Sequence, residues 1–112
     1  MIALAIIAAV FASSPRPLAV GVGLQEWQVA VYRSQVPPGR IRLNVTNLGE
    51  DTHDLVVRTR SGKVVKRLEP IRAGGRRRAE VRLRKPGRYT LFCSIADHES
   101  RGMKARLRVR RP

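Results

Sequence analysis

At 112 residues, with 28% charged and 43% hydrophobic residues, the chain has the size and composition of one globular domain, not of a disordered tail or a fibrous repeat. Its 23 Lys and Arg against 8 Asp and Glu give a net charge of +15. The single cysteine excludes an internal disulfide, so the fold must be held by its core.

The chain opens on an apolar run, Met1 to Ala12, followed by Ser-Ser-Pro-Arg-Pro. Twelve residues are too short to cross a bilayer as a helix but suit the core of an export signal, although no Lys or Arg precedes them. Residues 1–14 are therefore expected to be a signal peptide and 15–112 the folded domain, working outside the cytoplasm (periplasmic, cell-surface or secreted). The sequence then alternates with period two. Trp27, Val29 and Val31 share one face, as do Ile41, Leu43 and Val45. Ala79, Val81 and Leu83 repeat the pattern, and so do Ala105, Leu107 and Val109, with Arg, Lys, Glu, Asn or Thr between them. Each segment reads as a half-buried strand, and no stretch competes at helical period. Turn chemistry separates the strands: Pro37-Pro38-Gly39, Asn47-Leu48-Gly49, Ser61-Gly62, Gly74-Gly75 and Pro86-Gly87. Short strands so punctuated predict an all-β, antiparallel sandwich or barrel.

Chemistry concentrates in Tyr89 to Met103, read as a strand ending at Cys93, a loop carrying His98, and a turn at Gly102 that delivers Met103. The spacing C-x4-H-x4-M puts a thiolate, an imidazole and a thioether on one loop. Soft sulfur beside imidazole suits copper, and two histidines with a cysteine and a distant methionine define an electron-transfer copper site. The second histidine is His53, on the strand after the Asn47-Leu48-Gly49 turn. Apart from Met1, the chain holds one Cys, two His and one Met, and a four-donor site uses all of them. Taken singly, each has an ordinary reading as a buried hydrophobe, core filler or solvated loop residue.

From about Trp27 to Arg110 the chain resembles the cupredoxins, the blue copper proteins of the plastocyanin and azurin group. The resemblance rests on the Cys-His-Met loop and on Asn44–Val57 as strand, turn and first-ligand strand. It implies a Greek-key sandwich with one type 1 copper on His53, Cys93, His98 and Met103, and a role as a one-electron carrier, not an enzyme. It also implies that Asp54, where the family usually carries Asn, accepts a hydrogen bond from Ser94 and braces the ligand loop. The alternative is a copper-buffering module, or a basic binding domain with no electron-transfer role. A catalytic arrangement of paired carboxylates or Ser and His does not stand out, and multicopper catalysis needs more histidines.

The arginines fall on outward strand positions and turns, including Arg76-Arg77-Arg78. They read either as a solvated surface or as an electrostatic attraction for acidic redox partners or an anionic membrane or wall surface. Nucleic acid is not expected, because the few aromatic residues form no stacking platform. A monomer is expected.

Overall fold

The computed structural model describes residues 16–112, together with positions 3 and 5. The expected signal peptide, residues 1–14, lies otherwise outside the described residues. Nine strands follow in order among them: β1 Leu18–Gln25, β2 Gln28–Val31, β3 Gln35–Val36, β4 Gly39–Asn47, β5 His53–Thr59, β6 Val64–Ile71, β7 Arg76–Leu83, β8 Gly87–Phe92 and β9 Lys104–Val109. They form a four-stranded sheet, β2-β1-β4-β7, facing a five-stranded sheet, β3-β9-β8-β5-β6.

Alternation drives the packing. Ile41, Leu43 and Val45 of β4 and Val81 and Leu83 of β7 turn inward from one sheet. Leu55 and Val57 of β5, Tyr89 and Leu91 of β8, and Leu107 and Val109 of β9 meet them from the other. Burying a side chain of this kind contributes roughly 1.5–3 kcal/mol, so these facing rows hold the two sheets together.

The expected all-β sandwich is present, but its sheets are mixed. β1 runs parallel to β4 and β3 parallel to β9, while the other pairings are antiparallel. The reason is the route of the chain. After the β1–β2 hairpin it crosses to the second sheet as β3, then returns as β4 on the free side of β1. Two strands escape the period-two reading. β1 (Leu-Ala-Val-Gly-Val-Gly-Leu-Gln) buries Val20, Val22 and Leu24, but glycine occupies the intervening positions 21 and 23, so no polar face announces it. Tyr32 packs over those two glycines. β6 interrupts its alternation with Pro70 and leaves Val64 exposed.

Register places the site. The end of β4, the start of β5, the end of β8, the start of β9 and the β1–β2 turn all gather at one pole of the sandwich. The ends of β5, β7 and β9 and the start of β1 gather at the other.

Candidate metal centre

His53, Cys93 and His98 converge at the first pole, with one donor atom from each lying within 4.8 Å of the others. The two Nδ1 atoms are 3.2 Å apart, and Cys93 Sγ lies 3.8 Å from His53 Nδ1 and 3.5 Å from His98 Nδ1. All three residues are buried. Metal bonds of about 2.0–2.3 Å to nitrogen and sulfur, set at trigonal to tetrahedral angles, would separate such donors by roughly 3.3–3.8 Å. The side chains therefore stand where one small cation needs them, and a thiolate with two imidazoles is the equatorial donor set of a type 1 copper centre.

Each donor has a local cause. His53 opens β5 opposite Ile71, and an irregularity in the pairing between His53 and Leu55 re-aims the strand start. Cys93 follows β8 on the inward face shared by Tyr89 and Leu91. Its amide donates to Met103 O at 3.1 Å and extends the β8–β9 ladder by one rung. Between Cys93 and Met103 the chain winds into a tight loop. The amides of Arg101 and Met103 donate to His98 O, and that of Gly102 to Glu99 O. Gly102 has φ of +112°, which a side chain would strain. Met103 is fully buried at the base of the loop.

The brace expected from the resemblance is present. Ser94 donates its amide to Asp54 Oδ1 at 2.6 Å and its hydroxyl to Asp54 Oδ2, while Arg67 donates to Ser94 Oγ at 3.2 Å. Asp54 is 5% exposed, so this pair locks the cysteine end of the loop to the first-ligand strand. The acidic residues flanking His98 are also engaged. Arg58 forks onto Glu99, with Nη1 to Oε1 at 3.0 Å, and lies 4.1 Å from the centre of the Phe92 ring. Arg101 bonds Asp97 at 2.8 Å. These cations hold both carboxyls below their ordinary range, and Glu99 in turn raises Arg58.

Sequence reasoning missed Glu26, which alternation assigns to a wet strand face. Its carboxylate Oε1 lies 3.1 Å from His53 Nε2 and accepts the amides of Glu50 at 2.8 Å and Asp51 at 2.6 Å. With Nε2–H given to Glu26, His53 presents an unprotonated Nδ1 toward Cys93 and His98, the tautomer a metal requires. The Asp51 amide is the main cause holding the Glu26 carboxyl down, to about 2. Gly49 permits the approach, because a Cβ there would collide with both carboxylate oxygens. Asn47, fully buried, shapes the same loop. Its Nδ2 donates to Asp51 O at 2.8 Å and Ile71 O at 2.9 Å, and its Oδ1 accepts the Gly49 amide. The only signal in the sequence was the Asn47-Leu48-Gly49 turn; nothing local links it to Glu26.

Burial pushes the Cys93 thiol above its ordinary range, so a cation is needed to hold the thiolate at neutral pH. His98 is 7% exposed, and its ring lies 4.7 Å from that of Trp27, over which Arg101 sits at 4.9 Å.

The chain is similar in structure to dithionite-reduced auracyanin from the photosynthetic bacterium Roseiflexus castenholzii, with 16% identity, a TM-score of 0.74, and 86% of this chain and 99% of that one covered. It is similar to auracyanin A, a "blue" copper protein from Chloroflexus aurantiacus, at 10% identity and a TM-score of 0.66, covering 85% and 100%. It is also similar to a purple cupredoxin from Nitrosopumilus maritimus, at 20% identity and a TM-score of 0.56, covering 83% and 99%. No family model matches the chain, and no curated protein matches its sequence. The fold is that of the cupredoxins, and its ligand pole carries a His-Cys-His cluster of the blue-copper kind.

Proposed function

We propose that this chain is an exported one-electron carrier holding one copper on His53, Cys93 and His98, with Met103 as a distant axial donor. The observation that carries the reading is the convergence of a thiol and two imidazole nitrogens within 4.8 Å in a buried setting. Copper, when bound there, supplies a reversible one-electron couple. The protein's part is to keep the donors still. Glu26 orients His53, Asp54 and Ser94 pin the cysteine end, and Arg58 with Glu99 ties the loop to β5. Donors held this way change position little when the charge at the centre changes, which favours fast exchange. Met103 suits the axial role because it is buried where the ligand loop closes, bonded through its backbone to Cys93 and His98. His98, just beneath the surface against Trp27, is the exchange point for redox partners. Export is supported by the apolar opening run and by a single thiol that is buried and not left to oxidise.

The test is the visible spectrum. Adding Cu(II) to the purified protein should give an intense charge-transfer band that saturates at one equivalent and is bleached by ascorbate. Cys93→Ser should lose that band completely while keeping its fold by circular dichroism. A wild-type Cu(II) complex that stays nearly colourless would refute the carrier and favour copper buffering.

A further inference from the structure

Carboxylates are placed unevenly. Glu26, Glu50, Asp51, Asp54, Asp97 and Glu99 sit in the turns and strand ends of the ligand pole. Glu69 lies on β6 near the residue paired with His53, and Glu80 is in mid-β7, bonded to Arg40. No Asp or Glu lies at the opposite pole. A broad open groove runs there between the turn at 59–63, the connection at 85–88 and the end of β9. Seven Lys and Arg line it, all exposed, and none takes part in the four ion pairs found among the described residues. Tyr89 OH donates to Lys85 O at 2.8 Å and fixes the connection to β8, so the cations are displayed from an anchored frame.

We propose that this groove is the face by which the protein sits on an anionic lipid surface, with headgroup phosphates among its cations and the metal pole pointing away. Two features favour lipid over other polyanions. The groove is wide and open instead of forming a pocket for one small anion. Tyr89, its one aromatic side chain, is buried, so unstacked bases would find no platform. Leu18 pairs with Ile41, two residues from the Gly39–Leu83 pair, so the exposed Arg16 joins the fold at the same basic pole. Each Lys or Arg near an anionic leaflet strengthens attachment about fivefold. The nine residues of β4 connect the two poles, and at about 3.3 Å per residue they hold the ligand side chains roughly 26 Å from the lipid.

The test uses the full chain and vesicles of phosphatidylcholine alone or mixed with phosphatidylglycerol. The readout is the ratio of anionic to neutral binding, which removes any contribution of the apolar run common to both. The ratio should be large at low salt and fall steeply as salt is raised. In the triple variant Arg88→Gln, Arg108→Gln, Arg110→Gln it should drop roughly a hundredfold. Arg76→Gln with Arg78→Gln, on the β7 end near the ligand pole, should leave it within about fivefold. Trp27, the chain's single tryptophan, reports orientation: its emission should neither shift nor be quenched by brominated lipid. A ratio near one, an undiminished ratio in the triple variant, or bilayer quenching of Trp27 would each overturn the proposal. Retention on single-stranded DNA that anionic vesicles fail to compete away would overturn it in favour of nucleic acid. Should the triple variant misfold, the salt titration and Trp27 quenching of the unaltered chain still decide.

Discussion

The two ends of the sandwich are built from the same strands and differ in almost every other respect. At the ligand pole, polar groups are buried and answered. Asn47 uses both ends of its amide, Asp54 takes two hydrogen bonds from Ser94, and Glu26 takes two amides and an imidazole. At the far pole the Lys and Arg side chains that line the groove are exposed, and none joins an ion pair among the described residues. A buried polar group without a partner loses its hydration with nothing in return, so a buried network must be complete or absent. Exposed cations carry no such demand and are free for long-range attraction. One pole is thus built for fixed geometry and the other for contact without fixed geometry.

The contrast breaks hardest at Asn47. Asn47→Ala deletes three hydrogen bonds in a buried setting, and about 3 kcal/mol of stability should go with them. Chemical denaturation of the metal-free protein measures it, and a loss below about 1 kcal/mol would mean that the 48–52 loop holds itself together.

Glu26→Gln comes next and separates charge from shape. The amide keeps an acceptor for His53 Nε2–H but removes the anion, so metal affinity should fall by about 10–100-fold, the range for a partner of a metal-bound histidine. Competition with a chelator reads it. Unchanged affinity would reduce Glu26 to a loop tie.

The same carboxylate predicts a pH effect. Its value is depressed in the folded chain to about 2 from an ordinary 4.5, so its stabilisation is complete above about 4.5 and lost as pH falls toward 2. Asp97 and Glu99, also depressed, act in the same direction. The melting temperature of the metal-free protein should fall through that window, and less so in Glu26→Gln. Equal slopes for the two proteins would assign the acid sensitivity to other groups.

Met103→Leu should act more gently. Leucine keeps the apolar volume, so stability should change by less than about 1.5 kcal/mol. Loss of a sulfur donor weakens the hold on Cu(II) more than on Cu(I), so the potential should rise, with about 59 mV for each tenfold change in relative affinity. Voltammetry that shows no change in potential, with an unaltered spectrum, would make Met103 core packing alone. Smallest of all, Arg110→Gln at the far pole should leave stability within about 0.5 kcal/mol.

Much of the ligand pole was legible in the chain itself. Cys93, His98 and Met103 share one loop, so their order and spacing survive in one dimension, and the period-two pattern around Leu91 already turned Cys93 inward. His53 was harder: it is the chain's one other histidine, and resemblance to a known strand-and-turn pattern then joined it to a loop forty residues on. Asp54 and Ser94 were read the same way, and their geometry agrees. What the sequence could not show is what depends on the crossing of strands. Glu26 reads as an outward residue of an alternating strand, and only the parallel seating of β1 against β4 brings it beside His53. Parallel pairing has no local signature, because its partners are separated by the whole β2–β3 excursion. Charge divides similarly. Composition determined that the protein is strongly basic, but the burial of one strand face and the register between strands decided which arginines meet carboxylates and which seven Lys and Arg stand together at the far end. Side-chain type and period are properties of neighbours along the chain, whereas a site is a property of neighbours in space.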